Sequence, residues 1–401
     1  MSGVMISMKA AAVLALSMLA APGLAQTPDT PLWVAAYAYA PSNDAGPRGS
    51  ASAPNPNDPR GPLGPSQVEA VTLTQTALVT ATGVRIRLRL SNAYGDQPIV
   101  VGRVTAGHDG RTVDVTFDGA PDVTLPPGAA WLSDPVALPV SALDKVAVSI
   151  AYPQATSLPT HQVRQTMRGA NGIESAPLRL GALLSGIEVE TTAPAGVIVA
   201  FGDSITEGTG SLPAGPGSWP ERLAARLVEA GRPWAVVNAG IGGNRLLNQG
   251  SGPSGLERLD PDVLMVSGGR CLILLEGIND IGRPTGPAYA HQAITADDLI
   301  AGYRQVIARA HAAGFKVVLA TIPPFEGANY FTPAGETIRQ AANAWLRNSS
   351  EIDRVVDFDA VLRDPLSPLR LLPAYHSGDW LHPSDAGYQA MAEAVPLNGC
   401  D

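Results

Sequence analysis

The 401-residue sequence predicts an α/β fold, with a parallel sheet covered by helices on both faces, preceded by an all-β sandwich. Two patterns and a break between them carry that expectation. From Gly196 onward, short apolar runs alternate with helix-period segments, as parallel strands joined by crossover helices require. Before Thr191, helix-period segments are missing, and β-like runs recur between turn signals such as Asp109-Gly110 and Pro126-Pro127-Gly128. The stretch TTAPAG, Thr191 to Gly196, separates the two regimes and sets the expected domains at residues 26–191 and 196–401.

At the front, Lys9 is followed by an apolar stretch, Ala10 to Ala21, and then by Gly23-Leu24-Ala25, a small-residue cleavage pattern. Residues 1–25 therefore read as a secretory signal peptide, with Met8 as an alternative start, because the run is too short to cross a bilayer. No later stretch is apolar enough to span, and no cysteine near the cleavage site suggests a lipid anchor. The expected location is a periplasm or the outside of the cell. A net charge of −9 argues against nucleic acid as a partner.

Residues 41–66 are dense in Pro, Gly, Ser and Asn and read as a long loop. In VRIRLRL, Val84, Ile86, Leu88 and Leu90 alternate with Arg85, Arg87 and Arg89, which predicts a half-buried strand. Further β-like runs are Ile99 to Val104, Thr112 to Phe117, Ala130 to Leu138 and Lys145 to Ala151. The arginine face reads as a solvated surface, the alternative being a polysaccharide-anion site.

In the second half, Val197 to Phe201 is a continuous apolar run, as a strand buried on both faces requires. SWPERLAARLVEAG follows, with Ser218 and Glu221 as a capping box, Pro220 in the first turn and Gly231 past the end. Strands are then expected at Trp234 to Asn238, Cys271 to Leu275, Phe315 to Thr321 and Arg354 to Phe358, five in all with the first. Helices are expected after Thr295, from Thr337 to Leu346, and from Asp385 to Ala394 with Ser384 as its cap.

Gly202 ends the first strand and is followed by Asp203 and Ser204, so a hydroxyl stands at the carboxyl end of a strand, where open α/β sheets bind ligands. Alone, Gly-Asp-Ser is equally an ordinary turn. Three later strings give it company: NAGIGGN at Asn238 to Asn244, GIND at Gly277 to Asp280, and DWLH at Asp379 to His382. In that order they resemble the motifs of the GDSL-type esterases and lipases, also called SGNH hydrolases, over Val197 to about Met391. The resemblance implies a flavodoxin-like strand order and hydrolysis of an oxygen ester through an acyl-serine. RIRLRLSNAYGDQPIVVG more loosely resembles the β-rich domain preceding the catalytic domain in a branch that includes xylan-active acetylesterases.

Acyl transfer by a serine needs a base, a group that orients the base, and donors for the oxyanion. The resemblance places these on Ser204 as nucleophile, His382 as base and Asp379 as orienting acid. For the oxyanion hole it implies the backbone N–H groups of Ser204 and Gly243 and the side-chain amide of Asn279. His376 is the rival base, and Asp203 reads as structural because it adjoins the nucleophile. Trp380, Phe325 and Tyr330 are candidate substrate-binding residues, the latter two on a loop from Pro324 to Gly335. No G-x-S-x-G elbow, HExxH motif or paired Cys/His cluster occurs, so neither an α/β-hydrolase nor a metal is indicated and no cofactor is expected.

The expected substrate is an acylated carbohydrate, acetyl groups on a polysaccharide. The alternatives are a broad lipid or aryl esterase of lysophospholipase type, and a glycan-binding module on an inactive hydrolase scaffold. Cys271 and Cys400 are the only cysteines. Cys271 begins a strand at the amino edge of the sheet, and the last helix must run back from His382 toward that edge, so a disulfide between them is expected.

Overall fold

The computed structural model describes residues 32–42, 67–158, 162–169, 171, 172, 174, 178–192, 196–212, 217–287 and 289–401. Residues 31–401 cluster as one compact unit. The expected signal peptide, nearly all of the 41–66 loop and the centre of the TTAPAG junction lie outside the described residues.

The first half is β-rich and antiparallel. One sheet has four strands in the order Leu32–Ala38, Leu184–Thr191, Arg85–Ser91, Ala130–Leu132. The other has six, in the order Leu178–Gly181, Gln162–Gly169, Val71–Leu78, Lys145–Tyr152, Val104–His108, Arg111–Val115. Ile86, Leu88 and Leu90 of the first sheet and Leu73, Val146, Val148 and Ile150 of the second are buried in a common core, the one-sided burial that the period-two pattern requires.

Three strand expectations need correction. Val84 is exposed rather than part of the apolar stripe, because regular pairing begins only at Arg85. The run Ile99 to Val104 is two strands: Ile99–Val101 pairs with Val123–Leu125, and a new strand starts at Val104 after Gly102. The run Ala130 to Leu138 is cut at Leu132, before Pro135, whose missing N–H cannot serve a ladder. The arginine face is also not simply solvated. Arg85 bonds Glu190 with two hydrogen bonds of 2.5 Å, and Arg87 bonds Glu188 at 2.6 Å, both acids coming from the neighbouring strand.

The second half is a five-stranded parallel sheet in the order Trp234–Gly240, Gly196–Gly202, Gly269–Leu275, Lys316–Ala320, Arg354–Val356. Numbered along this part of the chain, that is 2-1-3-4-5, the flavodoxin-like order. Val197 to Phe201 are all buried at the centre. The helix Trp219–Glu229 carries the expected capping box at Ser218 and Glu221, and Ala296–Ala312 carries one at Thr295 and Asp298. The helix expected from Thr337 begins earlier, spanning Pro333–Asn348, because Thr332 caps it by accepting the Gly335 N–H and Pro333 fits its first turn.

Polar contacts join the two halves. The Thr80 hydroxyl accepts the Val236 N–H at 3.2 Å, the Ala35 N–H donates to the Ser267 carbonyl at 2.9 Å, and Ser267 Oγ donates to Glu188 at 2.7 Å. The last helix, Asp385–Ala394, is capped by Ser384, and Cys400 beyond it is disulfide-bonded to Cys271, 129 positions earlier. Among the described residues, no helix is long and apolar enough to cross a membrane.

Candidate active site

The strand Gly196–Gly202 runs straight into a one-turn helix, Ser204–Glu207, and this junction fixes the serine. Gly202 is required there: a Cβ on it would lie 2.3 Å from the Leu275 carbonyl and 2.4 Å from Thr206 Oγ1. Asp203 caps the helix, its Oδ1 accepting the Ile205 N–H at 2.8 Å, which gives it a structural place beside the hydroxyl. Ser204 Oγ lies 2.8 Å from His382 Nε2.

On the other side of the ring, His382 Nδ1 is 2.6 Å from Asp379 Oδ2. Asp379 Oδ1 accepts the backbone N–H groups of Leu381 at 3.0 Å and His382 at 2.9 Å, so one carboxylate shapes the loop and aims the imidazole. The tight turn holds Trp380 at a φ of 59°, a left-handed conformation that costs a bulky residue about 1–2 kcal/mol. Burial works against the Asp379 carboxylate, but the hydrogen bond and charge of His382 outweigh it and hold its pKa at about 2. Among the described residues, His376, the rival base, makes no hydrogen bond to Ser204. Its ring stacks on Trp380 at 3.9 Å, and its Nδ1 accepts the Gly378 N–H.

Ser204, Gly243, Asn279, Asp379 and His382 line a cleft of about 940 Å³. A smaller cavity of about 110 Å³ at the seam of the two halves contains none of them. Asn279 is firmly oriented: Nδ2 donates to the Asn244 carbonyl at 3.0 Å with a longer contact to Asp203 at 3.5 Å, and Oδ1 accepts from the Tyr330 hydroxyl at 3.4 Å. Gly243 adopts a φ of 75°.

Beneath the cleft is a buried ionic layer that the motifs did not reveal. Arg258 donates to the carbonyls of Gly202 and Ala239 and to Asn244 Oδ1 and stacks on Phe201, tying two strand ends to the glycine loop. Asp280 accepts the backbone N–H groups of Leu246 and Leu247. Burial pushes Asp203 up to about 7 and Asp280 up to about 6, and raises Glu276 well above the carboxylate range.

Of the expected substrate-binding residues, Tyr330 and Trp380 line the cleft. Phe325 does not. It is fully buried, packed against Phe331 at 5.1 Å and Tyr330 at 6.1 Å, because its loop folds back and puts the next aromatic ring outward. Arg283 and Tyr289 line the cleft and were not anticipated. The one available signal was spacing, since Arg283 stands four residues after Asn279 across a helical turn.

A family model for GDSL-like lipases and acylhydrolases matches residues 200–390, the stretch that holds every residue of this relay. Residues 200–390 belong to the GDSL-like lipase/acylhydrolase family. The chain is thus a carboxylic ester hydrolase by its GDSL domain. No curated protein matches the sequence. Among solved structures, the chain is similar to an acetyl xylan esterase from Geobacillus stearothermophilus, at 26% identity over 50% of this chain and 94% of that one, with a TM-score of 0.40. A GDSL-like lipase from Bacteroides thetaiotaomicron matches at 20% identity over 51% and 87%, TM-score 0.39. An aryl esterase of M. smegmatis matches at 18% identity over 50% and 95%, TM-score 0.39.

Proposed function

We propose that this GDSL hydrolase is a secreted carbohydrate O-acetylesterase that works through an acyl-serine. The observation that carries the mechanism is the unbroken relay from Ser204 Oγ through His382 to Asp379, opening into one cleft. His382 takes the serine proton as Ser204 Oγ attacks the ester carbonyl, and the oxyanion receives the N–H groups of Ser204 and Gly243 and the Asn279 amide. His382 then returns the proton to the departing alcohol. In the second half-reaction it deprotonates water, which releases the acid and regenerates the serine. Asp379, ionised because its pKa is held at about 2, keeps the imidazole oriented and stabilises its charged form.

The lining favours a short acyl group and a polar alcohol. Among the described residues Leu381 is its only long aliphatic side chain, and glycines, threonines, Asn329 and the rings of Tyr289, Tyr330 and Trp380 supply most of the described wall. Aromatic faces beside polar groups, as in this wall, suit a sugar. The leader-like residues 1–25 and the disulfide support export to an oxidising compartment. The test is acetate release from acetylated xylan, together with rates on p-nitrophenyl esters from acetyl to octanoyl. The expected result is released acetate and a steep fall with acyl length; a preference for octanoyl or phospholipid would reassign the substrate to lipid.

A further inference from the structure

Beside Gly243 lies a cation without a counter-ion. Arg283 Nη2 donates to Ser251 Oγ at 2.9 Å, its Nε is buried without a hydrogen-bond partner, and its guanidinium carbon is 5.8 Å from the Tyr289 ring centroid. A Cβ on Gly243 would come within 2.2 Å of Nη2, so the guanidinium fills the space that the glycine leaves open. Arg283 makes no ion pair among the described residues.

The acids around the serine and the glycine loop are engaged elsewhere, Glu207 with the Thr209 hydroxyl among them. Asp379 is bonded to His382, Asp280 to the Leu246 and Leu247 N–H groups, and Asp203 to the Ile205 N–H. The neighbouring guanidinium, Arg245, sits 4.9 Å from the same Tyr289 ring and is held by Gln292 and the Gln249 carbonyl, so it adds positive charge rather than cancelling it. Nε is sealed from the cleft, so a ligand meets the Nη groups of this half-buried guanidinium, and a guanidinium without a carboxylate partner at a cleft wall is suited to an anion, a carboxylate above all.

We propose that Arg283 binds a carboxylate carried by the ester substrate, so that the cleft selects O-acetylated sugar acids over their neutral counterparts. The inference rests on the esterase reading above. An acetyl group carries no second charge, which places the carboxylate on the alcohol, and Tyr289 beside Arg283 offers a ring face to the same sugar.

The test measures kcat/KM on acetylated methyl glucuronoside and acetylated methyl glucoside for the wild type, Arg283→Gln and Arg283→Lys, with circular dichroism on each. The wild type should prefer the charged sugar. The ratio of the two values should fall roughly 10- to 100-fold in Arg283→Gln, the loss expected for one charged hydrogen-bonded contact. Arg283→Lys, which keeps the charge but not the fork, should fall between. An unchanged ratio, or an equal loss on both sugars, would overturn the proposal, as would discrimination confined to p-nitrophenyl hemisuccinate over p-nitrophenyl acetate, which would place the anion on the acyl side. If the folded wild type hydrolyses none of these esters, the esterase reading fails and the inference with it. Turnover of p-nitrophenyl acetate with an unchanged ratio condemns the inference alone.

Discussion

Ser204 owes its position to its immediate neighbours. Asp203 caps the turn in front of it, Gly202 lets that turn pass under Leu275, and His382 holds its hydroxyl at 2.8 Å. In the proposed mechanism, Ser204→Ala and His382→Ala abolish turnover of p-nitrophenyl acetate while circular dichroism stays native. Asn279→Ala should cost roughly 10²- to 10³-fold in kcat, the loss of one oxyanion donor. Asp203 allows a test of stability rather than rate. Its carboxyl is raised by burial from 3.8 to about 7, so its contribution is fully present below the lower value and is lost as pH rises through the higher one. Asp203→Asn keeps an oxygen for the Ile205 N–H and cannot ionise. Its Tm should therefore fall less than the wild type's between about pH 4 and 7; equal falls in the two proteins would contradict the shift. Ser204, Asp379 and His382 were legible because each sits in a short string with one geometry. Arg258, Arg283 and Tyr289 were not, because an arginine or tyrosine outside a motif shows its partners only after distant loops meet.

The elements of the second half followed the sequence closely because local signals agreed with burial. Ser218, Thr295 and Ser384 each cap the helix that their spacing announced. Replacing Thr295 with Ala should cost about 1 kcal/mol in a denaturant titration. The first half was read less well at strand ends, where Gly102 and Pro135 decide the pairing and apolar runs on either side conceal them. Phe325 and Tyr330 show the same limit: both are loop aromatics, and nothing local says which ring turns into the core and which lines the cleft. The Cys271–Cys400 bond follows from helix direction. The chain-entropy model gives a loop of this length an upper figure of about 5 kcal/mol, so reduction should lower the unfolding midpoint markedly. Thiol titration of the denatured, unreduced protein should find no free thiol; two per chain would refute the bond.

At the scale of the whole molecule, the parallel sheet delivers Ser204, Gly243 and Asn279 from the carboxyl ends of three strands to one cleft, as open α/β sheets do. The loop before the last helix brings Asp379 and His382 to meet them. The β-rich half meets the rest through backbone and carboxylate contacts at Val236 and Ser267. The proposed reaction turns on one covalent bond, the ester between Ser204 Oγ and the acyl group. The direct measurement is peptide mass spectrometry of enzyme quenched in acid during turnover of p-nitrophenyl acetate. The wild type should carry one acetyl group on Ser204, and folded Ser204→Ala should carry none and release no p-nitrophenol above background. Full turnover in Ser204→Ala, or an acetyl group trapped on another residue, would contradict it.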